Sequence, residues 1–166
     1  MDIRERYQIE ETSDSLVIYP YKPAVRTARL VIAGIIPAAI ILFFFRDLIA
    51  KEIWASLYVI MAYGVVYSLY EIFIKADTSY TFDARAKAVF KNTRFEKGKK
   101  IIPLDEVVIF TSSESGSWRY AIGARKSQFI KNYVISEHFG GGRKSQERLE
   151  TYEAVILEKI HQLVAK

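Results

Sequence analysis

Two long apolar runs separated by a short polar link constrain this chain more than any other feature of it. The first run, LVIAGIIPAAIILFFF, covers residues 30–45, and the second covers residues 53–74. Between them stands RDLIAKE. At 1.5 Å per residue, the first run as a helix reaches about 24 Å, slightly less than a bilayer core. Extending it backward through Ala28, Thr27 and Val25 makes up the deficit, with Arg26 and Arg29 placed to snorkel toward headgroups. The second run is long enough by itself and begins with Trp54 and Tyr58, amphipathic rings suited to the membrane–water boundary. Neither run carries the polar stripe that a core helix of a small soluble domain shows on its outer face. The sequence therefore predicts two transmembrane spans, about residues 26–46 and 53–74, with Pro37 kinking the first. A link as short as RDLIAKE makes the spans antiparallel, so both flanking segments leave on one side.

The side is set by Lys and Arg near the spans. Arg4, Arg6, Lys22, Arg26 and Arg29 precede the first, and Lys75, Arg85, Lys87, Lys91, Arg94, Lys97, Lys99 and Lys100 follow the second, against Arg46 and Lys51 in the link. This bias predicts a multi-pass protein of the cell inner (plasma) membrane with both termini cytoplasmic. The net charge of +5 does not argue for nucleic acid, because a basic excess serves equally well beside anionic lipid. With no cysteine, disulfide and thiolate chemistry are excluded.

The flanks read as strands followed by a helix. Before the first run, RYQIEE and SLVIYPY are two strand-like stretches around the turn-prone Thr12, Ser13 and Asp14. After the second, SYTFD and AKAVFKN form a hairpin turning near Ala84. IIPLDEVVIFTSS, WRYAIGA and FIKNYVISEHF then follow as further strands, about five in all. Leu149, Tyr152, Ile156, Ile160 and Leu163 recur at spacings of three and four, which predicts a C-terminal helix with one apolar face. The domain reading is a strand pair over 1–23, a transmembrane hairpin over 24–75, and the remaining strands and helix over 76–166.

This order resembles that of bacterial two-span membrane proteins with a pleckstrin-homology-like (PH-like) domain, of the YcxB-like kind. It is also similar in plan to a plastid photosystem assembly factor. The stretch KKIIPLDEVVIF, residues 99–110, is the most family-like. The resemblance implies an α+β membrane protein in which a two-helix transmembrane hairpin is inserted between strands two and three of a small PH-like β-barrel closed by a C-terminal amphipathic helix. Phosphoinositide-binding PH domains place basic residues in the loop between their first two strands, and here that loop is Thr12, Ser13 and Asp14. The resemblance thus implies scaffolding rather than inositol-phosphate recognition.

No catalytic set, cofactor motif or metal-ligand spacing is present. His138 and His161 stand apart in sequence without ligand partners at metal-site spacing. FGGGRKS departs from a phosphate loop, because Arg143 occupies the position of the glycine that should precede the lysine. Arg143 and Lys144 at the start of a helix could still hold one anion. Arg94, Lys97, Lys99 and Lys100, with Lys91, form a basic loop suited to anionic headgroups. Glu71 is the acidic residue within the second run, and Tyr63, Tyr67 and Tyr70 line one face of that helix, where a partner helix could dock. The expected function is a non-catalytic membrane-anchored binding or scaffolding module: an accessory subunit, assembly factor or immunity protein. Its partners would be anionic lipid and a protein or a second copy of itself. The alternative is a ligand-sensing effector whose barrel binds a small molecule such as a signalling nucleotide and drives oligomerisation of the spans.

Overall fold

The computed structural model describes residues 2–114, 116–125 and 132–165. The chain divides into two compact units, Ala24–Ala76 and the combination of Met1–Pro23 with Asp77–Lys166.

The first unit is a helical hairpin. Helix α2 (Lys22–Phe44) and helix α3 (Lys51–Phe73) are joined through a 3-10 turn at Arg46–Leu48. Each helix has 23 residues and so extends about 34 Å, and both are apolar enough to cross a membrane. Most large apolar side chains on them are exposed: Leu30, Phe44, Val59 and Ile60 are examples. Pro23 falls in the first turn of α2, where its missing N–H costs nothing, while Pro37 is tolerated inside the helix. The close approach between α2 and α3 is at Gly64, where an added Cβ would stand 2.9 Å from Ile35 Cδ1. Gly34 on α2 has open space around it. The Tyr58 hydroxyl donates to the Ala39 carbonyl at 3.1 Å.

The second unit carries two sheets and the terminal helices. A short helix α1 (Ile3–Arg6) is capped by the Asp2 carboxylate, which accepts from the Arg4 N–H at 3.3 Å. The expected strand over RYQIEE is confined to β1 (Glu10–Glu11). The reason lies in Gln8, whose φ of 45° breaks extended backbone after the helical turn that buries Ile3 and Tyr7. Strand β2 (Ser15–Ile18) directs Leu16 and Ile18 inward. Beyond the helical hairpin come β3 (Ser79–Asp83), β4 (Ala88–Asn92) and β5 (Lys99–Pro103), giving one antiparallel sheet in the order β1-β2-β3-β4-β5. Its central fact is the register Leu16↔Phe82 and Ile18↔Tyr80, which pairs β2 with β3 across more than fifty intervening residues. The two strands behave as hydrogen-bonded neighbours with the helical hairpin inserted between them.

The second sheet has the order β6-β7-β8, with β6 (Val107–Glu114), β7 (Ser117–Ala124) and β8 (Tyr133–Val134). IIPLDEVVIFTSS therefore supplies two strands, in different sheets, separated by a 3-10 turn at Leu104–Glu106 that buries Leu104. β5 contacts β7 but is laddered only to β4, so among the described residues no closed barrel is found. Of the strand expected over FIKNYVISEHF, residues 129–131 lie outside the described residues. The remainder contributes β8 and a bridge between Phe139 and Trp118.

The C-terminal segment is α4 (Arg143–Tyr152), a π-helical turn (Glu153–Leu157) and α5 (Glu158–Val164). Tyr152, Ile156, Ile160 and Leu163 are buried from it, and α5 contacts β2 and β3. These side chains join Leu16, Ile18, Tyr80, Phe82, Val89, Ile102, Ile122, Ile135 and Phe139 in one core. Lys159 and Glu11, 2.8 Å apart, link the helix to the edge strand.

Candidate functional site

At one end of the five-stranded sheet β2 finishes, β3 begins, and β4 turns into β5. Register fixes this, because Ile18 opposes Tyr80, Ser79 opposes Asn92, and Lys91 opposes Lys99. The chain leaves the sheet-bearing unit and returns to it at this end. The β4–β5 turn is held by its own hydrogen bonds. The Thr93 N–H donates to the Glu96 carbonyl at 2.7 Å, and the Gly98 N–H donates to Asn92 Oδ1 at 2.7 Å. Asn92 Nδ2 in turn donates to Ser79 Oγ and Thr81 Oγ1, each at 3.3 Å, tying the turn to the first residues of β3. Gly98 adopts φ of 69°, a conformation that favours glycine.

The basic residues expected to act together are brought together here. Arg94, Lys97, Lys99 and Lys100 are all exposed on the turn or the first positions of β5, and Lys99 pairs with Glu96 at 3.0 Å. Lys91 lies over the Tyr133 ring at 5.9 Å. At the turn's tip is Phe95, 81% exposed, which the sequence reading passed over. Its signal was present in RFEKGKK, an aromatic set among cations.

The other expected residues lie elsewhere. Arg26 and Arg29 are exposed near the start of α2. Arg143 pairs with Glu147 one turn along α4 at 3.2 Å, and Lys144 is exposed beside it. The glycine turn before α4 is closed by its own contacts: Ser145 Oγ accepts from the Gly140 N–H at 2.8 Å. On α3, Tyr63 and Tyr67 stack with centroids 6.2 Å apart, and Tyr63, Tyr67 and Tyr70 are exposed. The Tyr67 hydroxyl donates to Glu71 Oε1 at 3.2 Å, and Lys75 Nζ lies 3.3 Å from the same oxygen. The tyrosine face therefore ends in a hydrogen-bonded carboxylate with a cation beside it.

Two clusters were not legible beforehand. Arg6 binds Glu137 with two hydrogen bonds, at 2.9 and 2.6 Å, and the Glu137 N–H donates to the Tyr7 hydroxyl at 3.1 Å. This joins α1 to the segment after β8, 131 residues away in sequence. Around it lie the rings of Tyr7, Trp118, Tyr120, Phe139 and Tyr152, with Tyr120 and Tyr152 stacked at 5.7 Å. Burial raises the Tyr7 and Tyr152 phenols above their ordinary range, and the nearby Glu137 charge adds to the effect on Tyr7. His138 contacts Ser117 Oγ at 3.2 Å and Arg119 at 3.3 Å. Among the described residues no three His, Asp or Glu side chains group as a metal site would need.

Comparison with protein-family models, with curated proteins and with solved structures finds no match.

Proposed function

We propose that this chain is a membrane-anchored binding or scaffolding module of PH-like plan, without catalytic activity. It would reside in the cell inner membrane with α2 and α3 spanning it and both termini cytoplasmic. The observation that carries this reading is the face of α3 formed by Tyr63, Tyr67, Tyr70 and Glu71. Three exposed phenols and a hydrogen-bonded carboxylate are poorly matched to lipid tails alone, in which polar groups are expensive. They are well matched to another helix, against which tyrosine hydroxyls and a carboxylate can find further partners. Length and apolar surface support the spans: a pair of 23-residue helices with large exposed aliphatic side chains would be insoluble without lipid or a covering protein. Support for the PH-like plan comes from two antiparallel sheets, a C-terminal helix packed on the core, and a hairpin inserted between paired strands.

Mild detergent extraction of the full chain should yield a discrete complex, either with a protein partner or with further copies of itself. Replacing Tyr63 and Tyr67 by Ala should dissociate that complex while leaving the sheet-bearing unit folded by circular dichroism. A chain that purifies only as a monomer from its native membrane would overturn the proposal.

A further inference from the structure

Among the described residues, nearly every large apolar side chain that is strongly exposed belongs to the two long helices and their link. Phe95 alone belongs to the sheet-bearing unit. That unit buries Tyr7, Phe82, Phe139 and Tyr152 completely or almost so, so an exposed phenyl ring at a hydrogen-bonded turn is out of keeping with the rest of its surface. In sequence the ring is flanked by Arg94, Lys97, Lys99 and Lys100, all exposed. At the opposite end of the sheet the β1–β2 and β3–β4 turns hold no comparable group. There Asp14 and Arg85 pair at 2.9 Å, and Asp83 Oδ1 accepts from the Arg85 and Ala86 N–H groups. The two ends of one sheet thus differ in chemistry. The apolar, cationic end is the one at which the chain departs for the helical hairpin.

Chain reach makes this placement significant. Four steps of backbone connect Ile18 to Lys22 and six connect Phe73 to Ser79. At no more than about 3.6 Å per residue these links extend at most about 14 and 22 Å. With α2 and α3 in a bilayer, this end of the sheet cannot leave the headgroup region by more than that distance. The β4–β5 turn is bonded through Asn92 to Ser79, the first residue of β3.

We infer that the β4–β5 turn is a second, reversible membrane contact, in which Phe95 inserts into the interface of the cytoplasmic leaflet while Arg94, Lys97, Lys99 and Lys100 engage anionic headgroups. A phenyl ring favours the acyl boundary, and cations beside it are attracted to an anionic surface. The contact would fix the orientation of the sheet-bearing unit at the membrane. The inference rests on the reading that α2 and α3 span the bilayer.

The absence of cysteine allows single reporter positions in the full chain. Glu96→Cys, Ala86→Cys and Val59→Cys would each be labelled with the environment-sensitive dye NBD. Each is reconstituted in nanodiscs of phosphatidylcholine, alone or mixed about three to one with phosphatidylglycerol. The dye at position 96 should shift to the blue and be quenched by nitroxide lipids labelled near the headgroup, several-fold more in anionic discs than in neutral ones. The dye at 86 should stay water-like, and the dye at 59 should be quenched by nitroxides deep in the acyl chains. Phe95→Ser should abolish the response at 96, and Lys97→Gln with Lys99→Gln and Lys100→Gln should remove its dependence on anionic lipid. A water-like dye at 96 beside a deeply quenched dye at 59 would overturn the inference and leave the spans standing. No quenching at 59 would overturn the spanning reading and this inference with it. Equal quenching at 96 in neutral and anionic discs would overturn the headgroup contact.

Discussion

Tyr152 shows how one side chain can be both apolar filler and polar connector. Its ring is buried against Tyr7, Tyr120 and Phe139, while its hydroxyl donates to the Ile135 carbonyl at 2.7 Å. Tyr152→Phe keeps the ring and orphans that carbonyl, so a loss of about 1–2 kcal/mol is expected in chemical denaturation. The same burial has a consequence for pH. Desolvation raises the phenol of Tyr7, of Tyr80 and of Tyr152 above the ordinary value of 10.0. Their neutral forms are favoured by the fold, so the stability they contribute is fully present below about pH 10 and falls as pH rises above it toward the raised values, because the unfolded chain ionises first. Thermal stability should therefore fall above pH 10, read as a lower Tm. Phenolate absorbance should show these residues titrating after the exposed tyrosines, and a single transition at the ordinary value would contradict the buried placement. At Gly98 the issue is backbone alone: nothing stands within 4 Å of a Cβ, but φ is 69°. Gly98→Ala should cost about 1–2 kcal/mol through that conformation, with the Asn92 contact to its N–H weakened.

At the scale of elements, hydrophobic period was the readable signal. It located both long helices to within a few residues, and it marked the buried face of the C-terminal helices, because each pattern is a direct record of which side faces the core. It failed where a residue's role depends on a distant partner. RYQIEE alternates like a strand, but Tyr7 is committed to the ring cluster and to Glu137, and Gln8 reverses the backbone to put it there. Nothing local announces Arg6 and Glu137 as a pair, since their approach is a product of the whole topology. The same limit applies to Gly64, whose contact with Ile35 joins the two runs and is announced by neither alone. Gly64→Leu should push α2 and α3 apart, because a Cβ already displaces the end of the Ile35 side chain and the further atoms of leucine need more room than that shift provides. Spin labels at Leu30 and Tyr70, both exposed, should report a longer and broader distance distribution in the variant than in the parent chain. An unchanged distribution would place the helix contact elsewhere.

For the whole molecule, the pairing of β2 with β3 implies a separable architecture. Ile18 and Tyr80 are direct partners in an antiparallel ladder, the geometry a short hairpin turn normally joins. The helical hairpin occupies the place of that turn, so the sheet gains no ladder bonds from it and loses none without it. Loop-closure entropy points the same way, since shortening a connection between fixed ends lowers the cost of bringing them together, although only logarithmically with length. Residues 1–21 joined to 77–166 through a brief Gly/Ser turn should therefore yield a water-soluble protein with one cooperative unfolding transition. Among the described residues, the exposed Phe95 would be the chief remaining large apolar side chain. In this soluble form Leu16→Ala should cost about 2–5 kcal/mol, as expected for a nearly fully buried leucine. Deleting residues 1–21 outright should prevent cooperative folding, because it strips β1 and β2 from the sheet, leaves β3 as an edge, and removes Leu16, Ile18 and Tyr7 from the core. If residues 77–166 folded as stably alone as with the N-terminal strands attached, the β2–β3 pairing would not be the join that makes the two segments one unit. The inserted hairpin would then be a linker between independent parts.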